Sequence, residues 1–190
     1  MSKSDTILLR CAGRLTQAQW AEVQKLAGEV GAGKARAYGN AEEAYVYFDL
    51  TAPREVAQSE VSGLETKAST LAGGTKVSAV ALARVADIAG RSHGFPAPVH
   101  YVVEMEFAPG SEKDITNWYA TEHLPGLASV PGCVRAQRYM SAAGRSFGCY
   151  DLGSNLVPES AEWMKWRETP QTQKIRSNFM NMKRGVFLAL

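Results

Sequence analysis

The chain carries two copies of one pattern, and this constrains its fold more than any other feature. Gly33-Lys34-Ala35-Arg36-Ala37 recurs as Gly132-Cys133-Val134-Arg135-Ala136, and Phe48-Asp49-Leu50 recurs as Tyr150-Asp151-Leu152. Trp20 precedes the first glycine, and Trp118 the second, by nearly the same interval. Each match is short, but together they keep one order and fall within the same expected elements, which marks an internal repeat. Hydrophobic periodicity in the first copy predicts strands over 6–12, 34–38, 44–50 and 76–85, with helices over 16–30 and 53–71. The second copy predicts strands over 99–107, 133–139, 146–152 and 183–190, with helices over 111–123 and 158–179. Pro170 should break or kink the last helix. Thr16 and Ser111 suit N-caps, and Pro53 and Pro158 suit a first helical turn. A breaker-rich connection over 90–98 divides the chain into halves of 1–89 and 99–190, the second carrying the expected site.

A β-α-β-β-α-β unit makes a four-stranded antiparallel sheet with both helices on one face, so its other face needs cover. Two copies in one chain can supply that cover to each other. The expected class is therefore α+β, with two such repeats forming an intramolecular, pseudo-dimeric barrel.

At 190 residues with 45% apolar content, the chain is long enough for a substantial core. Lys and Arg total 21 against 19 Asp and Glu, and no basic block interleaves with aromatics, so a nucleic-acid footprint is not expected. The segment from Met1 to Asp5 lacks the apolar core of a signal peptide, and no apolar run approaches the ~20 residues that span a bilayer. The expectation is a soluble, cytoplasmic protein without a membrane partner. Cys11, Cys133 and Cys149 are an odd, dispersed set that fits reduced, buried thiols. The three histidines lack metal-ligand spacing, and Gly73-Gly74 reads as a turn rather than a phosphate loop, so neither a metal nor a phosphate cofactor is expected.

Strand alternation assigns the faces. Tyr101, Val103, Met105 and Phe107 form a continuous apolar set that should lie under the helices, leaving His100, Val102, Glu104 and Glu106 on the opposite face. Arg135, Gln137 and Tyr139 share one face of the next strand, while Arg10 and Arg36 are first-copy counterparts of Glu104 and Arg135. Buried unpaired charge is expensive. The readings are that these groups line a pocket, or that Glu104 and Glu106 pair with Arg10, Arg36 or Arg135 in a structural network or lie at a wet barrel mouth.

The most specific segment is Trp118-Tyr119-Ala120-Thr121-Glu122-His123-Leu124-Pro125, followed by Val130-Pro131-Gly132. His123 shares a helix face with Tyr119, and Pro125 disfavours continuation, which puts His123 at a helix C-terminus with a titration near neutrality. The rival reading is a capping or interface histidine. The order of aromatic, histidine and Pro-Gly turn resembles the dimeric α+β barrel proteins with ferredoxin-like halves, in particular their EthD-like branch. The resemblance implies a small-molecule site with His123 facing a pocket, and a homodimer of fused barrels as the assembly. Lys25 stands near where the first copy would need its histidine, so one site per chain is expected.

The resemblance implies a cofactor-independent lyase or isomerase that moves protons on a small aromatic, polyketide-like or lactone substrate. His123 would be the general acid or base, Glu104 or Tyr139 its complement, and Arg135 the holder of a carboxylate or oxyanion. Trp118, Tyr119, Glu106 and Arg10 would complete the substrate site. The superfamily also includes cofactorless monooxygenases of electron-rich aromatics and haem-dependent members, and a noncatalytic ligand-binding barrel is the third reading. His100 is a weaker candidate, His93 should be solvent-exposed, and Trp163, Met164, Trp166 and Phe179 read as core or subunit contact.

Overall fold

A computed structural model describes residues 3–190. Met1 and Ser2, part of the N-terminal segment weighed above as a leader, lie outside the described residues. The chain is α+β, with eight antiparallel strands in two ferredoxin-like β-α-β-β-α-β units. One compact unit runs to Arg84 and takes in Phe187–Leu190, and the other is Val85–Val186. No helix among the described residues is long and apolar enough to cross a membrane.

The first unit comprises β1 (Ser4–Cys11), α1 (Gln17–Glu29), β2 (Ala32–Gly39), β3 (Ala44–Arg54), α2 (Gln58–Leu71) and the start of β4 (Val77–Ala89). β1 lies between β3 and β4, and β2 pairs with the other edge of β3. Ile7, Leu9, Val46 and Phe48 meet Val23 and Leu26 of α1 and Leu64 and Ala68 of α2 in one core. Thr16 caps α1 in a reciprocal box with Gln19. After α2, the Gly73 and Gly74 amides return to the Thr70 and Ser69 carbonyls at positive φ, the glycine-dependent stop that their sequence suggests.

The second unit comprises β5 (Val99–Phe107), α3 (Glu112–Trp118), a π-helical turn (Tyr119–His123), α4 (Leu124–Ala128), β6 (Cys133–Ser141), β7 (Ser146–Leu152), a 3₁₀ turn (Val157–Glu159), α5 (Ala161–Arg167), α6 (Pro170–Arg176) and most of β8 (Phe179–Ala189). β7 is flanked by β5 and β6. A register irregularity falls near the start of both β2 and β6, at Ala32/Lys34 and Cys133/Arg135, but the Gly-x-x-Arg-Ala segments do not coincide: Lys34 faces Asp49 as Arg135 faces Asp151, so the match slips by two residues and Arg36 takes the place of Gln137 rather than of Arg135. Asp49 and Asp151 do correspond, since Asp49 lies opposite Thr6 and Lys34, and Asp151 opposite His100 and Arg135.

Several local expectations change. β3 continues through Pro53 to Arg54, whose guanidinium binds Glu60 and the Val30 carbonyl, so α2 starts only at Gln58 and without a side-chain cap. Ser111 does not cap α3, because its hydroxyl donates to the Ala108 carbonyl at 2.6 Å. Pro158 sits in the 3₁₀ turn, and Ser160 caps α5 instead. Pro170 does split the long helix, with Thr169 capping the second piece, and β8 then begins at Phe179 rather than at 183.

The correction that matters most concerns His123. The helix does not end there but passes through the π-helical turn into α4, with the Leu124 amide reaching back to the Tyr119 carbonyl. A proline ring clashes with the carbonyl four residues back in a regular α-helix, and the wider turn relieves that clash at Pro125. His123 is thus an interior residue, without the C-terminal dipole that would favour its charged form.

Candidate active site

All parts of the site belong to the second unit. The apolar face of β5 lies under the helices as alternation predicts, with Tyr101, Met105 and their neighbours packed on Ile115, Trp118, Tyr119 and Trp163. Between this face and α3, α5 and α6 is a cavity of about 30 Å³, room for roughly one or two waters. Tyr101, Trp118, Tyr119, His123, Tyr150 and Trp163 form its aromatic wall. Arg167, Arg176, Arg184, Thr172, Phe179 and Met182 contribute the rest of the polar and flexible lining.

Trp118 is held by a chain of side chains. Its indole N–H donates to Thr172 Oγ1 at 3.2 Å, Thr172 meets the Thr169 hydroxyl at 2.9 Å, and Thr169 binds Glu122. The His123 ring stacks on Trp118, centroids 4.1 Å apart, and presents an edge to Tyr119 at 5.4 Å. Gly148 lies beside the Tyr119 and Tyr150 hydroxyls, and a Cβ there would come within 3.3 Å of the Tyr119 oxygen.

His123 is 9% exposed, and its Nδ1 has no hydrogen-bond partner. Burial pushes its pKa down to about 3; a hydrogen bond from the ring to the Trp166 backbone opposes this, and the charges of Arg176 and Arg184 add to it. The imidazole is therefore neutral at physiological pH, not poised near neutrality as a C-terminal position would make it. Trp163, also in the cavity wall, carries a second buried polar atom without a partner, its Nε1. Unpaired buried polar atoms are costly, and two on side chains of one cavity wall mark where a ligand would bond.

The phenols beside them resist ionisation. Burial pushes Tyr119 up to about 12 despite the nearby Arg138, and raises Tyr101 and Tyr150 as well. Arg138 is a residue that alternation alone does not single out. It is 3% exposed, with its guanidinium 4.4 Å over the Tyr119 ring and Nε donating to Ser146 Oγ at 3.1 Å.

The structure thus brings Trp118, Tyr119 and His123 together and sets the other sequence candidates elsewhere. Glu104, Glu106, Arg135 and Tyr139 stand on the opposite face of the second unit's sheet, and Arg10 belongs to the first unit. Glu104 and Glu106 pair with Arg145, at 3.0 and 2.8 Å, and Arg135 with Asp87 at 2.5 Å. Arg36 holds Asp49 through two bonds. Arg145, from the β6–β7 turn, was not foreseen as their partner because turn length rather than strand periodicity brings it there. His100 is buried against Asp151 at 2.7 Å, His93 is exposed, and burial raises Cys11 to about 11 and Cys133 to about 12, as inert thiols behave. Trp163 and Phe179, expected as core or subunit contact, line the cavity, and the arginines of α5, α6 and β8 were missed because no local motif marks them. Among the described residues no cluster of His, Cys, Asp and Glu could hold a metal.

No protein-family profile and no curated protein matches the sequence. Solved structures do share its fold. An anthrone oxidase-like protein aligns over 100% of this chain and 94% of its own, with TM-score 0.60 and 10% identity. A ferredoxin-fold protein related to antibiotic biosynthesis monooxygenases, from Listeria monocytogenes, aligns over 98% and 95%, with TM-score 0.59 and 10% identity. A haem-degrading enzyme from the same species covers 96% and 98%, at TM-score 0.56 and 9% identity. These likenesses establish the fold across the full chain length, in keeping with the ferredoxin-like barrel resemblance.

Haem does not fit this cavity. Trp118 covers one face of the only buried imidazole in the lining, and the space is far below the roughly 300–1,000 Å³ of pockets that take large organic ligands.

Proposed function

We propose that this chain is a cofactorless monooxygenase of a compact, electron-rich aromatic, such as a phenol or a ring-activated methylene. Within the barrel superfamily we read it as a fused member of the EthD-like branch, on the order Trp118, Tyr119, His123, Pro131, Gly132. The observation that carries the reading is the pair of partnerless polar atoms on side chains of one aromatic cavity wall, His123 Nδ1 and Trp163 Nε1. A hydroxyl between them would give its proton to the neutral imidazole and accept a bond from the indole N–H. As the oxyanion forms, its charge raises the basicity of the adjacent imidazole, which offsets the effect of burial.

An electron-rich anion can itself reduce dioxygen, so the protein needs a base, an apolar chamber and exclusion of water. For an activated methylene the balance is CH₂ plus O₂ giving C=O plus water. An isomerase or lyase ordinarily needs a second group to return the proton at another atom. No carboxylate lines the cavity and its phenols are held protonated, which favours the oxygenase over the lyase or isomerase. In this reading Glu104, Glu106, Arg135 and Tyr139 brace the strands from across the sheet. The neighbouring folds named for anthrone oxidase and monooxygenase activity point the same way.

The test is oxygen uptake and ¹⁸O₂ incorporation with a panel of phenols, naphthols and anthrones. We expect one labelled oxygen per product, and His123→Asn to lower turnover by roughly 10²–10⁴-fold while preserving the fold. Solvent-proton exchange or isomerisation without oxygen uptake would overturn the monooxygenase in favour of proton-transfer chemistry alone.

A further inference from the structure

The cavity is aromatic in its depth and cationic at its rim. Arg167 ends α5, Arg176 ends α6 and Arg184 lies on β8, and all three contribute to its lining. One carboxylate serves this group: Glu168 binds Arg167 and Arg176, each at 2.9 Å. Arg176 divides its Nη2 between Glu168 and the Arg167 carbonyl at 3.3 Å, and among the described residues the hydrogen bond of Arg184 goes to the Met182 sulfur, at 3.5 Å. Nearby acids are engaged, Glu106 by Arg145 and Asn181, and Glu122 by Thr169. Two of the three guanidinium groups therefore share one carboxylate and Arg184 has no part in it, and their field reaches the cavity wall: it lowers the pKa of His123 and opposes the rise at Tyr101.

We propose that the ligand of this cavity is an aromatic carboxylate, its ring lying against Trp118 and Trp163 and its carboxylate held at the rim by Arg184 and Arg176. Guanidinium groups match a planar carboxylate through two parallel N–H bonds, and an ammonium cannot reproduce that geometry. Arg184 is the specificity-determining residue, because no carboxylate pairs with it among the described residues, whereas Arg176 must share its charge with Glu168. The assignment rests on the reading of this cavity as the substrate site, and it narrows the substrate to rings that carry both an ionisable oxygen and a carboxylate.

The experiment is calorimetric titration of the whole protein with 4-hydroxybenzoate and with the neutral 4-hydroxybenzamide. The carboxylate should bind at least roughly tenfold more tightly, the scale of a charge-assisted hydrogen bond. In R184Q the preference should fall to near unity, and in R184K it should return only in part; melting curves of each variant establish that the fold is kept. R176Q should reduce the preference less than R184Q. Equal binding of the two probes by the wild type, or a preference that survives in both R184Q and R176Q, overturns the proposal. Oxygen uptake separates this from the function itself: His123-dependent uptake with neutral phenols and no carboxylate preference sinks only the ligand assignment. Arginine-dependent carboxylate binding without uptake on any substrate sinks only the monooxygenase.

Discussion

His123 shows how one side chain ties burial to pH. Its pKa falls from 6.5 to about 3 in the folded chain because burial penalises the charged ring. Above pH 6.5 the ring is neutral in both folded and unfolded states and contributes nothing to pH dependence. Below it, the unfolded chain takes up a proton that the folded chain refuses, so stability falls as pH drops toward 3, by up to ~1.4 kcal/mol per pH unit for this one group. His123→Phe keeps an aromatic ring against Trp118 and removes that titration. Its melting temperature should therefore decline less steeply than the wild type's between about pH 6 and pH 4. Parallel melting profiles across that range would mean that His123 is protonated in the folded state. At this scale sequence was informative about direction: alternation assigned every side chain of β5 to its observed face, and the Trp118-Tyr119-His123 cluster is real. What it could not convey is pairing across distant segments, which put Arg145 on Glu104 and left Arg184 without a carboxylate among the described residues.

At the scale of elements, the segment joining α3 to α4 was the least legible, because a π-helical turn leaves no periodicity of its own. Pro125 suggested an end to the helix, whereas the wider turn lets the chain run on and sets His123 inside the cavity wall. Pro170 was legible, since a proline inside a helical pattern is a local signal that tertiary contacts did not override. Gly126 in α4 has a role that only packing reveals: a Cβ there would come within 2.3 Å of the Trp166 ring. The same close approach holds the Trp166 backbone beside His123. Gly126→Ala should destabilise the protein by roughly 1–3 kcal/mol, the usual cost of overpacking, read as a lowered denaturant midpoint. It should also weaken 4-hydroxybenzoate binding, because α5 must shift away from α4. Adding Trp166→Leu should restore part of the stability; if the double variant is no more stable than Gly126→Ala alone, the Trp166 contact is not the cause.

Across the whole molecule, the doubled order of elements was readable in the sequence, and Asp49 and Asp151 hold matching places beside an irregularity that starts β2 and β6, whereas the Gly-x-x-Arg-Ala match slips by two residues because strand pairing follows the irregularity rather than the motif. The divergence between the copies is equally physical. In the first unit α1 is an unbroken helix, Lys25 is exposed and bonded to Glu22 at 2.6 Å, and Val23, Leu26, Leu64 and Ala68 fill the space between sheet and helices. The second unit has Trp118, Tyr119, His123 and Trp163 in that layer, rigid rings that leave a cavity where flexible aliphatic side chains close one. Under the proposed function, the first unit serves as scaffold and the second carries the chemistry. Titration of the chain with 4-hydroxybenzoate should accordingly saturate at one ligand per polypeptide, and His123→Trp, which fills the cavity, should abolish that single event without unfolding the first unit. A stoichiometry of two, with one event surviving His123→Trp, would refute the division of labour. It would direct attention to the open groove of the first unit beside Leu15, Trp20 and Leu190.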